Sequence, residues 1–546
     1  MRTAPLLLAL ALSAVGASAG AQQRAFHVVD YDLSLTLPDS GNRIEGLARL
    51  TIARVRWADT LVLDLTGLKV SRVRHAGKPV GFSQDGEHVR VFVGGDRNDT
   101  LRVALEYAGA VTDGLIIRTD SAGRWIAFGD NFPDRARHWI PSIDHPSDKA
   151  TVTWAVNAPA GVRVVANGAL LDEKPVVPGP RSGSPPASAA PRTLTRWRES
   201  RPIPVYLMVI AAAPLVRYDL GPTACGFAEG GGCVDQMVYV APEQRGALPG
   251  EFARAGDIVE FFARLIAPFP YEKLAHVQSS TRFGGMENAS NIFYADAPFR
   301  RGGTRAGTIA HETAHQWFGD AVTERAWGHL WLSEGFATYF EELWTRHAFG
   351  DSAFRRELSD TRAQIVRDNT VASRPVIDTE QTNLMSLLNT NSYQKGGWTL
   401  HMLRTLVGDS AFFRGVREYW TSHRHGTALT DDLMAAVERQ AGTKLGWFFD
   451  QWLRRPGYAS LTTGWRYDPA QRRVVIEVTQ GDRFAPYRLP LTVAVTDADG
   501  SVRRVRVDVP AQRASVIALP LEIGAQPRAV TFDPDVELLA EFKAAR

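Results

Sequence analysis

The chain has 546 residues, 45% of them hydrophobic, more than one core usually organises, so two to four domains are expected. Its 62 basic and 59 acidic side chains leave a formal charge of only +3, which gives no basis for a nucleic-acid or membrane-surface partner. Function must therefore be read from local constellations of residues. The first is at the N-terminus: Met1-Arg2, an apolar stretch from Ala4 to Val15, and small residues from Ala17 to Ala21 read as a secretory leader over residues 1–21. No later stretch approaches the roughly 20 apolar residues of a membrane helix, and no Cys stands at the cleavage site to carry a lipid, so an exported, unanchored protein is expected, periplasmic or extracellular.

Residues 22–215 alternate apolar and polar, as in Leu33/Leu35/Leu37 and Leu101/Val103/Leu105, and predict a β domain. Within it, residues 175–191 (PVVPGPRSGSPPASAAP) read as a disordered loop. Cys225 and Cys233 share a Gly-rich segment, where export favours a local disulfide over a two-Cys metal clip. Over 216–457 the pattern turns helical from about Glu251, as in Ile258, Val259, Phe262 and Leu265, with Thr430 expected as a helix N-cap, so this region is read as mainly α. After Pro456 alternation returns in Val474/Ile476/Val478 and Leu491/Val493/Val495, with a hairpin turn expected at Asp499-Gly500. Residues 458–546 are thus a small β domain. The whole is a multidomain α+β chain.

The chemistry concentrates in His311-Glu312-Thr313-Ala314-His315, within a stretch, about 304–319, that reads as helix. Spacing of i, i+4 puts both imidazoles on one face, where they can share a metal ion, with Glu312 beside them as a base. A catalytic zinc takes three protein ligands and keeps a fourth position open, so a third donor is needed. Glu334, in Trp331-Leu332-Ser333-Glu334-Gly335-Phe336-Ala337 at the start of a second helical stretch, is the candidate. On the motif alone, the lesser alternative is that His311 and His315 are ordinary histidines on a buried helix face.

With these motifs in place the chain resembles the aminopeptidase N family of zinc metallopeptidases, which also includes the leukotriene-epoxide hydrolase. Gly284-Gly285-Met286-Glu287-Asn288 is similar to its GxMEN element, Tyr393-Gln394-Lys395-Gly396 to its YxKG element, and residues 137–149 (RHWIPSIDHPSDK) to its N-terminal signature. The resemblance implies a saddle-like N-terminal β-sheet domain, a thermolysin-like, mainly α catalytic domain and a small C-terminal β-sandwich. It implies one Zn2+ per chain on His311, His315 and Glu334, and peptide substrates with a free N-terminus. Glu312 would be general base and then general acid, Tyr393 would stabilise the oxyanion, and Glu287 would hold the substrate's α-ammonium group. Gly284 and Gly285 would let the substrate backbone approach closely.

Two departures stand out. Relatives usually place a Gln from the N-terminal domain near the amine, and here Asp130 takes that position, predicting a second negative charge beside the ammonium. Many relatives also continue into a large helical domain, so a three-domain enzyme with a comparatively open cleft is expected. The rivals are a thermolysin-type secreted endopeptidase and a noncatalytic peptide-binding module. GGMEN and the β-rich N-terminal domain argue against the first, and the intact set of ligands and base argues against the second.

Overall fold

The computed structural model describes residues 24–94, 98–176, 191–224, 233–244, 249–300 and 306–544. The leader, the Cys225–Cys233 pairing and most of the Pro/Ser/Gly-rich stretch lie outside these residues. Pro175 and Val176, expected in that loop, instead finish the strand Ala169–Val176, paired with Thr193 and Arg192.

Alternation in the first part of the chain builds an eight-stranded sheet. Its centre is Phe26–Thr36, parallel to Lys149–Pro159 and antiparallel to Arg43–Arg54. Leu33, Leu35 and Leu37 are buried, as are Leu101, Val103 and Leu105, so the inward face follows the period of two. A smaller sheet of Arg163–Ala166, Ile210–Ala213, Trp125–Gly129 and Leu115–Thr119 adjoins it in sequence. It carries the 125–149 segment toward the rest of the molecule.

The region read as mainly α opens on a sheet. Val216–Ala224, Cys233–Val240, Lys273–Ser279, Asn291–Ala295 and the short edge strand Gly285–Met286 form five strands, the inner pairings parallel. Alternation did not reveal the inner strand Lys273–Ser279 because it is buried at all seven positions, and a strand covered on both faces has no polar period. Helices follow as expected. Ala255–Leu265 buries Ile258, Val259 and Phe262, and Ala306–His315 and Trp331–Phe349 carry the two motifs. The first of these ends at His315, short of the expected 319. Thr430 is not an N-cap: it is the first residue of Thr430–Ala441, where the Asp432 carboxylate accepts from Leu429 N at 2.8 Å. The Thr430 hydroxyl instead accepts from Trp331 Nε1 at 2.9 Å.

The last part forms a four-stranded and a three-stranded sheet, sandwich-like, with Leu489–Thr496 and Val502–Val509 joined through Asp499-Gly500 as expected. Among the described residues no helix is long and apolar enough to cross a membrane.

The N-terminal sheet is tied to the helical region by a buried lysine. Lys149 Nζ donates to the carbonyls of Asp320 and Ala321, just past the HETAH helix, and to that of Gly426, at 2.8–3.0 Å. Burial pushes its pKa down to about 7. The RHWIPSIDHPSDK segment thus holds the two regions in register.

Candidate metal centre and substrate cleft

On the HETAH helix, His311 and His315 present their Nε2 atoms to the Glu334 carboxylate, which the first turn of Trp331–Phe349 delivers. Glu334 Oε2 lies 3.4 Å from His311 Nε2 and 3.3 Å from His315 Nε2. Zinc–ligand bonds of about 2.0–2.2 Å put neighbouring corners of a tetrahedron about 3.3–3.5 Å apart, so the spacing fits one ion among the three atoms. Two further observations agree. Glu334 Oε2 is buried without a hydrogen-bond donor. Each imidazole spends its other nitrogen elsewhere: His311 Nδ1 donates to Glu341 Oε2 at 3.2 Å and His315 Nδ1 to the Phe318 carbonyl at 3.1 Å, beside Ser333 Oγ at 3.0 Å. Those bonds fix the tautomer that leaves Nε2 free to ligate. The residues therefore fit a zinc ion.

These residues line a cavity of about 290 Å³ with Phe132, Phe283, Gly284, Gly285, Met286, Glu287, Glu312, Glu341 and Tyr393 among its walls. A larger cavity, about 370 Å³, lies between Arg118, Arg124, Glu243 and Gln278 and contains none of them. Donor chemistry, not size, marks the site.

Glu312 is almost fully buried, and burial pushes its carboxyl up to about 8 against the opposing pull of His311 and His315. Glu334, between the same imidazoles, is held down at about 2 despite its burial. Glu287 reaches the cavity from the edge strand, and carboxylate oxygens of Glu287 and Glu312 and a ring nitrogen of His315 lie within 4.8 Å of one another. Its pKa is raised, chiefly by burial.

Gly285 has a steric role that sequence did not reveal. A Cβ there would stand 2.1 Å from Glu312 Oε1, so only glycine leaves room for that carboxylate. A Cβ on Gly284 would meet nothing within 4 Å.

Tyr393 lies in Asn391–Lys395, a turn closed by an i→i+5 bond from Lys395 N to Thr390 O. Its hydroxyl donates to Glu334 Oε1 at 2.7 Å, and its ring lies parallel to that of His311 at 6.0 Å. What brings it there is a contact between two glycines: a Cβ on Gly335 would meet the Gly396 backbone at 2.9 Å.

Two expected residues are not in the cleft. Asn288 is fully buried and does not line the cavity. Asp130 is also buried outside the lining, and its carboxylate is paired with Arg135 Nη2 at 3.0 Å and Arg282 Nε at 3.4 Å. The second free negative charge predicted there is thus corrected, because two guanidinium groups neutralise it. Glu341, Ser333 and Phe132 were missed. Glu341 alone left a signal, since seven residues past Glu334 is the same helix face.

Fold and site together define a metallopeptidase of the HExxH-plus-glutamate class. Residues 252–452 match the peptidase family M1 domain and residues 28–184 the peptidase M1 N-terminal domain; the chain belongs to peptidase family M1. It is 25% identical over 465 residues to a leucyl aminopeptidase of Saccharolobus solfataricus, covering 80% of this chain and 55% of that protein. It is 27% identical over 398 residues to human glutamyl aminopeptidase, covering 69% and 39%. The chain thus spans about half the length, or less, of these curated relatives. Among solved structures, the M1 zinc metallopeptidase from Deinococcus radiodurans is similar at a TM-score of 0.67 and 28% identity, covering 80% of this chain and 95% of that one. Legionella pneumophila aminopeptidase A, in complex with aspartic acid, shares the fold at a TM-score of 0.80 and 16% identity, covering 96% and 60%. The cofactor of the family and of these M1 neighbours is zinc, in keeping with the donor set here.

Proposed function

We propose that this protein is an exported, zinc-dependent aminopeptidase that removes the N-terminal residue of peptides with a free amine. The observation that carries the reading is Glu287: a buried carboxylate beside the general-base candidate, paired with no Arg or Lys among the described residues. A buried carboxylate in a cleft calls for a cation, and a substrate's α-ammonium group supplies one.

His311, His315 and Glu334 would hold the zinc, which when bound would supply a Lewis acid for the scissile carbonyl and lower the pKa of water toward about 7. Glu312 takes the proton of the attacking water and passes it to the departing amine. The Tyr393 hydroxyl, one hydrogen bond from the ligand set through Glu334, turns to donate to the developing oxyanion. Glu287 fixes the amine, so the bond presented to Glu312 is the first of the peptide. Export rests on the leader read in residues 1–21.

The test is hydrolysis of a panel of aminoacyl chromogenic amides, with and without a chelator, alongside the same amides N-acetylated. Chelator-sensitive cleavage confined to the free-amine set is expected. Cleavage of the blocked set would instead indicate an endopeptidase, and no cleavage of either a binding module.

A further inference from the structure

Glu287 leads directly into a tight turn, Asn288-Ala289-Ser290-Asn291, closed by Asn291 N donating to Asn288 O at 2.8 Å, with Ser290 at a φ of +60°. A non-glycine residue in the left-handed region is held there by its surroundings. Here they are unusually complete. Gln316, the residue after His315, is fully buried and ties Glu287 to the turn that follows it: its Nε2 donates to Glu287 O, and its Oε1 accepts from Ser290 N, both at 2.8 Å. From the loop between Arg163–Ala166 and Ala169–Val176, Asn167 Nδ2 donates to Ala289 O at 2.7 Å, while Gly168 N donates to Ser290 Oγ at 2.7 Å. The Ser290 hydroxyl in turn donates to Glu199 Oε2 at 3.0 Å.

We infer that Gln316 is a positioning residue that sets the distance between the amine anchor and the metal, and so makes the enzyme cut after one residue. This rests on the reading of Glu287 as the anchor. The argument is one of connectivity. Gln316 is one peptide bond from His315, and its amide ties Glu287 to the turn that follows it, so anchor and ligand are joined by a short, fully hydrogen-bonded path. Asn167 and Glu199 brace the turn from the other side and keep it from tilting. Gln316 touches neither metal nor substrate; it acts through Glu287.

Gln316→Met keeps the length of the side chain and removes both hydrogen bonds. Expected are an unchanged zinc content, a KM for aminoacyl amides raised about tenfold or more, and kcat changed less. The preference for free-amine over N-acetylated amides should fall in parallel. Binding gives a second readout: by calorimetry, the free amino acid matching the best-cleaved amide should lose affinity, while its N-acetyl derivative should bind as weakly as to wild type. Gln316→Leu, also without donor or acceptor and uncharged, serves if the Met variant fails to fold. Unchanged KM, selectivity and amino-acid affinity in a folded, zinc-loaded variant would overturn the inference. Glu287→Gln separates it from the reading beneath it. If Glu287→Gln loses amine selectivity and the Gln316 variants keep it, the positioning role alone fails. If Glu287→Gln keeps it too, the anchor reading fails.

Discussion

The two sides of the molecule that meet near the cleft treat acidic residues in opposite ways. On the catalytic side, Glu287, Glu312 and Glu334 lie buried with imidazoles and a phenol but with no guanidinium among the described residues, and their pKa values diverge accordingly. On the N-terminal side, Asp130 is equally buried, but Arg135 and Arg282 neutralise it. Burial alone does not make an acid functional. A buried acid left unpaired awaits a cation from outside, whereas one with a guanidinium on each oxygen has what it needs and serves the fold.

The largest effect that sharpens this contrast is expected at Gly285. Gly285→Ala drives a methyl group into Glu312, and kcat should fall about a hundredfold with zinc content intact. Gly284→Ala, with open space around it, should act on KM and spare kcat. Equal losses of kcat would mean that both glycines serve substrate approach alone. Next comes Asp130→Asn. It removes one of the two carboxylates paired with the buried Arg135, which keeps Asp113 at 2.7 Å, and stability to denaturant should drop by on the order of 1 kcal/mol, with KM for aminoacyl amides within about twofold of wild type. A large rise in KM at unchanged stability would restore Asp130 to the cleft and break the comparison.

The smallest effect is at Lys149. Its pKa is pushed from 10.5 down to about 7, so between these values the folded chain holds fewer protons at this residue than the unfolded chain does. The cost of burying the charge is therefore full below pH 7 and is relieved as pH rises toward 10. Urea midpoints of wild type and Lys149→Met, compared from pH 7 to 9, should shift in favour of wild type. A constant difference would mean that the ammonium stays charged against its three carbonyls.

What sequence disclosed was the chemistry with a local period. His311 and His315 at i, i+4 had to share a face, and Glu334 near a helix start needed only a short return of the chain. Asp130 shows the limit of the method. Arg135 stands five residues away and Arg282 in a loop 152 residues further on, and no spacing rule ties either to the carboxylate. Glu341 lay within reach of helical periodicity. The inner strand Lys273–Ser279 of the catalytic sheet did not, because a strand buried on both faces carries no alternation to read. Gly285 was seen, but for a different reason, since only coordinates reveal that the side chain it makes room for is Glu312.

Finally, the near-touching backbones of Gly335 and Gly396 make two separate stretches of sequence a single machine part. One bears Glu334 and the other Tyr393, and no side chain stands between them to act as a cushion. Any shift of the first is passed to the second without slack. A designer wishing to retune the tyrosine cannot do so in isolation, because both stretches would have to be exchanged together.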